Sequence, residues 1–343
     1  MKLTKQYIDM INKKFGLKEI TKYLEKLTKL NVLVIGDAIL DHYIFVTPKG
    51  RAIKDPILSV EYGEEEIYAG GVFAVANHLS DFVNNIKLIT IVGDKEPKLD
   101  FINNSLKKNI NIKTFTKKKS HTTVKKRYVD IYRNHKLFKI EYMNDKPISE
   151  KLTKEIVVYL NKEISKFDIV IVTDFGHGFI NNEIRDVLEN KSKFLSINVQ
   201  SNSANMGYNY INHYKKVDFI SLSEDEVRLP LMKRFEKIDT VIKEFNKDLG
   251  YKRFLVTLGK EGSILFQNKK LYKSPSLIEV VVDTVGAGDA AFSLSSLFVY
   301  AKADGKLVPF IANCAGGIKS KYMGNKESVS KEKLLNFINE TLS

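Results

Sequence analysis

Cysteine is almost absent from this chain. Cys314 is the only one among 343 residues, so no disulfide can form within the chain and a reducing compartment is expected. Long apolar runs are absent too: no stretch of 18 uncharged apolar residues occurs, so no transmembrane helix is expected. The opening MKLTKQYIDMINKKF is broken by charges every few residues and lacks the apolar core of a secretory signal. A cytoplasmic location with no membrane partner follows as the expectation. Proline numbers only 7, and no Pro/Ser-rich linker, low-complexity tract or internal repeat divides the chain. His42, His78, His121, His135, His177 and His213 show no ligand spacing, and no second cysteine exists for a zinc site. A Walker loop is missing as well, because Phe254 stands where Gly259-Lys260 would need its glycine five residues earlier.

What is present is a globular balance, with 43% hydrophobic and 28% charged residues. The length suits two domains or one large α/β domain. Lys plus Arg total 55 against 41 Asp plus Glu, a formal charge of +14 that attracts polyanions or a phosphorylated small molecule. The clusters Lys117-Lys118-Lys119 and Lys125-Lys126-Arg127 read as solvated charge. No aromatic interleaving or nucleic-acid motif accompanies them, so no nucleic-acid partner is expected.

Short apolar runs closed by polar turns recur along the chain. Val32–Ile35 ends at Gly36-Asp37, Leu88–Val92 at Gly93-Asp94, Ile169–Val172 at Thr173-Asp174, Phe194–Ile197 at Asn198, and Phe254–Thr257 at Gly259. Such runs read as buried parallel strands. Helix-length amphipathic stretches, 149–165 and 232–248, lie between them, so the fold class is α/β with a mainly parallel sheet. Ligands of such sheets bind at the carboxyl ends of the strands. Residues 1–30 read as a helical N-terminal extension, with Ile20, Leu24 and Leu27 on one face. Residues 31–343 form the main domain. Two segments, near 43–68 and 111–142, break the rhythm with short strand-like pieces. They suggest a small antiparallel β lid.

The segment richest in chemistry is Asp283-Thr284-Val285-Gly286-Ala287-Gly288-Asp289. A strand-like run, Ile278–Val282, leads in, and a helical apolar pattern leads out. Small residues at the turn let a ligand approach the backbone. The free N–H groups and positive end of the following helix favour an anion, phosphate above all. Asp289 reads either as a helix cap or as a base that takes the proton of an attacking hydroxyl.

The full string resembles the second signature of the ribokinase-like (PfkB) carbohydrate kinases. Ala69-Gly70-Gly71 resembles the family's glycine pair, and Gly36–Asp41 its first strand exit. Thr257–Gly262 resembles its T-x-G-x-x-G nucleotide loop, and Ser221–Glu224 its N-x-x-E. Within the family the chain is most similar to the heptose-phosphate kinases that form half of a bifunctional kinase/adenylyltransferase. Asp37–Tyr43, Arg51–Pro56, Thr123–Arg127, Asp174–Gly178 and Ser221–Glu226 carry that likeness. The order holds from residue 31 to about 330, and the adenylyltransferase half finds no counterpart before Ser343.

The resemblance implies a three-layer ribokinase-like fold and ATP-dependent phosphorylation of a sugar or sugar phosphate. It implies Asp289 as base, with the N–H groups of Gly286, Ala287 and Gly288 as an anion hole. It places Asp37, Asp41, Arg51, Gly70, Gly71 and Arg127 at the sugar, with Lys125 a further candidate cation for an acceptor phosphate. It places Ser221, Glu224, Thr257, Gly259, Gly262, Thr284 and Asn313 at the nucleotide, with Glu224 organising hydrated Mg²⁺. Relatives' lids pair between subunits, which implies a homodimer through the β lid. The chain departs from the family at four places: Ala74, His177, Asn198-Val199-Gln200 and Ser221 stand where the family has Asn, Lys, D-P-K and Asn. The alternative expectation is therefore a catalytically weak relative that binds nucleotide or sugar in a structural or regulatory role. A polyanion-binding protein, from the charge alone, is the third.

Overall fold

A computed structural model describes residues 2–203, 205, 207–278 and 280–343. Helices α1 (Lys2–Lys14) and α2 (Gly16–Leu27) precede strand β1 (Asn31–Gly36). Then come β2 (Ala38–Arg51), β3 (Leu58–Gly71), α3 (Val72–Leu79), β4 (Asn85–Lys95), α4 (Leu99–Ser105), β5 (Ile110–His121), β6 (Thr123–Asp130) and β7 (Lys136–Tyr142). The middle of the chain holds α5 (Glu150–Glu163), β8 (Ile169–Asp174), α6 (Asn182–Lys191), β9 (Leu195–Val199), β10 (Phe219–Ser223), α7 (Glu224–Arg228) and α8 (Ile238–Leu249). Strands β11 (Arg253–Thr257), β12 (Ser263–Gln267) and β13 (Lys270–Ser274) follow, and helices α9 (Ala287–Tyr300), α10 (Leu307–Ser320) and α11 (Lys331–Leu342) close the chain.

Nine strands form the large sheet, in the order β13-β12-β11-β10-β9-β8-β1-β4-β5. All pairs from β11 to β5 are parallel, and β12 and β13 turn back antiparallel at one edge. The apolar runs are its interior. In β1, Val32 and Val34 enter one core while Leu33 and Ile35 enter the other, and all four are fully buried. A strand covered on both faces needs apolar residues at consecutive positions, so the runs carry no alternation. Helices α1–α4 and α9–α11 contribute to the first core, and α5–α8 to the second. The face Ile20, Leu24 and Leu27 of α2 is buried in the first core. Helices thus cover both faces of the sheet, giving the three layers expected.

A second sheet has the order β3-β2-β6-β7. Its outer pairs are antiparallel, but β2 and β6 run parallel. The expectation of an antiparallel sheet is corrected on this one pair. Strand β2 continues from β1 and β6 from β5, and those two strands point the same way in the large sheet. Segment 111–142 also divides differently from its reading as lid. Its first strand, β5, pairs with β4 at the edge of the large sheet.

The run Ile278–Val282 is not a strand; within it Glu279 lies outside the described residues. Val280, Val281 and Val282 are 76%, 39% and 45% exposed, and the N–H of Val282 donates to Ser320 O at the end of α10. β-Branched residues favour a pleat only where a neighbouring strand completes it. Among the described residues no helix is long and apolar enough to cross a membrane.

Candidate active site

The chain leaves β1 for β4 on one side, while β8 continues the sheet on the other. In open α/β sheets a ligand crevice lies at such a point, outside the carboxyl ends of the strands. A cleft of about 320 Å³ opens there. Its floor is the exits of β9, β10 and β11, with Asn198, Gln200, Ser221 and Thr257. One wall is the turn 284–289 at the start of α9, and the opposite wall is the small sheet, with Ile39, Asp41, Lys125 and Arg127.

The turn is built to bring backbone against the cleft. Gly286 has φ +82°, and a Cβ there would overlap Oδ1 of Asn325 and lie 3.1 Å from Cε of Lys319. Only glycine fits such a position. Of the three expected anion-hole amides, Ala287 N–H donates to Thr284 O at 3.2 Å. Those of Gly286 and Gly288 have no partner among the described residues, and a Cβ at Gly288 would meet nothing within 4 Å.

Asp289 follows on the first turn of α9, 7% exposed. Its Oδ1 accepts from Nε2 of Gln200 at 2.8 Å. Gln200 also donates to Asn198 Oδ1 at 3.0 Å, and Asn198 Nδ2 donates to Ser221 O at 2.8 Å. Burial first, then the charge of Asp41, pushes Asp289 up to about 7, against the pull of Gln200 and Lys319. Asp41 receives Arg127 Nη1 at 2.5 Å on one oxygen and Asn325 Nδ2 at 3.0 Å on the other. Asp283 fastens the small sheet to the turn. It accepts from Tyr43 OH at 2.9 Å, Lys136 Nζ at 2.6 Å and Gly324 N at 2.9 Å. Burial works against its charge, but Lys136 and the backbone N–H groups of Gly324 and Val285 outweigh it and lower its pKa.

The glycine pair presses β3 onto the exit of β1. A Cβ on Gly70 would overlap the Asp41 carboxylate, and one on Gly71 would lie 2.7 Å from Asp37 O. Asp37 itself turns away from the cleft. Its Oδ2 accepts from Phe175 N at 2.9 Å, and its Oδ1 has no partner among the described residues. It lines a separate narrow cavity, about 20 Å³, with Lys117, Thr122 and His177. Burial, then the neighbouring Asp174, raises Asp37 to about 7. His177 has neither ring nitrogen bonded; burial, then Lys125 and Lys117, lowers it to about 3, so the ring is neutral.

The cleft thus brings together Asp289, Gly286, Gly288, Asp41, Gly71, Arg127, Ser221, Thr257 and Thr284. Other named residues lie outside its lining. Arg51 is exposed at the far end of β2. Gly259 and Gly262 form the turn beyond β11, where Gly262 N donates to Gly259 O at 3.2 Å. Asn313 Nδ2 donates to Ser274 O, Ser274 Oγ and Pro275 O, at 3.1, 2.9 and 2.8 Å, at the exit of β13. Glu224 is held by Arg228 at 2.6 Å, one helical turn on. The carboxylate that reaches the cleft is Glu226. It closes a capping box with Ser223, and that Ser-x-x-Glu spacing is a visible signal. Gln200, Asn325 and Lys319 also escape sequence reasoning. Gln200 shows only as a departure, and Lys319 only as one charge inside an apolar helix.

This geometry has counterparts among known proteins. A family model described as pfkB family carbohydrate kinase matches residues 29–314. The chain is similar to the bifunctional protein HldE of a Nitratiruptor species, 24% identical over 294 residues that cover 84% of this chain and 61% of that protein. It is similar also to HldE of Desulfatibacillum aliphaticivorans, 25% identical over 292 residues, covering 84% and 59%. The chain therefore spans about three fifths of the length of these curated relatives. Among solved structures, ribokinase from Thermotoga maritima matches with TM-score 0.69 and 16% identity, covering 90% of this chain and 99% of that one. Phosphofructokinase-2 from Escherichia coli matches with TM-score 0.71 and 13% identity, covering 92% and 100%. At these identities the structural likeness establishes the fold.

Proposed function

The chain belongs to the pfkB family of carbohydrate kinases, phosphotransferases with an alcohol acceptor, and from that premise we propose that it transfers the γ-phosphoryl group of ATP to a hydroxyl of a sugar phosphate of the heptose-phosphate type. The observation that carries the reading is the placement of Asp289. It is a buried carboxyl beside two unpartnered backbone N–H groups, facing Asp41 and Arg127 across one cleft.

Asp289 accepts the proton of the acceptor hydroxyl. The freed oxygen forms a bond to the γ-phosphorus, the bond to the β–γ bridging oxygen breaks, and ADP leaves with that electron pair. Little covalent work falls to the protein; positioning and charge neutralisation carry the step. The N–H groups of Gly286 and Gly288 receive charge as it develops on the transferring group. Ser221, Thr257 and Thr284 face the nucleotide, while Asp41, Gly71 and Arg127 face the acceptor. Lys125 and Arg127 line the cleft as candidate cations for an acceptor phosphate, paired at rest with Glu141 and Asp41.

Mg²⁺ fits as a hydrated ion. Both oxygens of Glu226 accept backbone N–H groups, from Ser201 at 3.0 Å and Ser223 at 2.7 Å, so contact through water leaves these bonds intact. Mg²⁺ keeps several waters and needs few carboxylates, and it supplies neutralisation of phosphate charge. A homodimer through the small sheet is part of the proposal; Tyr62, Ile67, Phe138 and Ile140 stand exposed there.

A screen of ATP consumption against sugars and sugar phosphates, heptose 7-phosphate included, tests the reading. Acceptor-dependent ADP formation supports it. Silence across the panel, with ATP still raising the melting temperature, replaces it with the catalytically weak relative. The departures from the family pattern at Ala74, His177, Asn198-Val199-Gln200 and Ser221 favour that second reading.

A further inference from the structure

Helix α10 is apolar along most of its length, yet in its last turn it carries Lys319, 1% exposed. A lysine there complements the helix dipole, but that role is ordinarily filled from solvent. Lys319 is instead buried against the anion-binding turn, its Cε 3.1 Å from where a Cβ on Gly286 would stand. Its Nζ makes one long bond, 3.5 Å, to Tyr322 O, and no ion pair among the described residues. A buried ammonium costs several kcal/mol unless partners compensate it. Three carboxylates attract it without touching it: Asp283, Asp289 and Asp41.

The geometry points to Lys319 as the positioning cation of the anion-binding turn, holding Asp289 ionised and the N–H groups of Gly286 and Gly288 in a positive field. This inference rests on the kinase reading above and adds a residue to it. Charge arriving on the turn during phosphoryl transfer supplies the partner that the resting molecule lacks. The groups facing Lys319 and Asp289 come from every side of the site. They are Asp41 on β2, His78 on α3, Lys136 on β7, Gln200 after β9, Glu226 on α7 and Asp283 on the turn. Of the cations among them, Lys136 is already paired with Asp283 at 2.6 Å. Lys319 is the one left to act on Asp289.

The test compares wild type with Lys319→Met, which keeps the bulk without the charge, and Lys319→Gln, which keeps a donor. The expected result is a kcat roughly 10- to 100-fold lower, with KM for the acceptor within threefold and a melting temperature no lower than wild type. The acid limb of kcat/KM moves to higher pH. In ligand-free protein the ¹³C carboxyl resonance of Asp289, identified through Asp289→Asn, titrates at higher pH in the same variants. Lys319→Arg restores part of kcat and returns the titration towards wild type. A wild-type kcat and an unmoved Asp289 titration in whichever neutral variant folds overturn the inference. A wild type silent on the whole panel sinks the kinase reading instead, and the resonance still decides whether Lys319 controls Asp289.

Discussion

Asp289 and Asp37 both lie on the side of the large sheet where its parallel strands end, both buried and both raised to about 7. Their surroundings differ. Asp289 faces a cleft of about 320 Å³, takes a side-chain donor from Gln200 and has Lys319 behind it. Asp37 faces a cavity of about 20 Å³, takes backbone donors only and has an unbonded oxygen beside a neutral His177. A raised pKa alone therefore does not mark a base. Room for a reacting hydroxyl separates the two.

The largest effect expected is on turnover. Asp289→Asn should lower kcat by about 10³-fold, in the range for removing a general base. Asp37→Asn should fall well short of that. Equal losses in the two variants, measured with the same acceptor, would break the comparison. The pH dependence follows from the same assignment. With the ionised carboxylate as the proposed base, kcat/KM should climb about tenfold per unit below the pKa and level off above about 7. A profile flat from pH 5 to 8 would remove Asp289 from the role.

Gln200 sharpens the comparison with a smaller effect. Its hydrogen bond favours the charged carboxylate, and a hydrogen bond to a charged group contributes about 1.5–3 kcal/mol. Gln200→Leu should shift the acid limb upward and lower kcat/KM at pH 7 by roughly tenfold, with kcat at pH 9 nearer to wild type. An acid limb that stays in place would mean that Gln200 serves the Asn198–Ser221 chain alone.

These residues also show how far sequence reasoning reaches. The buried strands were legible because both faces of the large sheet are covered, so runs such as Val32–Ile35 stand out. Strand β2 falls only partly within the strand-like segment 43–68, because Asp41 and His42 interrupt the apolar pattern in its buried half. Strands β12 and β13 went unread, being a short hairpin at the sheet's edge. The turn around Gly286 was legible from its small residues. Lys319 was not, because one lysine in a helix says nothing of depth. Glu224 was favoured over Glu226 by motif spacing, and the capping geometry of α7 decides which of the two reaches the cleft.

The smallest effect concerns stability, and it compares the two aspartates without any substrate. A carboxyl held near 7 in the folded chain and near 3.9 when unfolded favours folding most below pH 4, and that contribution is lost as pH rises through 7. Above pH 7 the folded protein must therefore carry the Asp37 charge in a narrow buried cavity. Asp37→Asn removes that charge and keeps an acceptor for Phe175 N–H. The variant should gain roughly 1–3 kcal/mol over wild type at pH 9, and the gap should close towards pH 5, as read from urea midpoints at the two pH values. Asp289→Asn should gain a similar amount at pH 9, since burial holds its carboxyl at the same level against the pull of Gln200 and Lys319. Clearly unequal gains would show that the folded chain does not hold the two carboxyls alike, and that their difference lies in charge as well as in room for a hydroxyl.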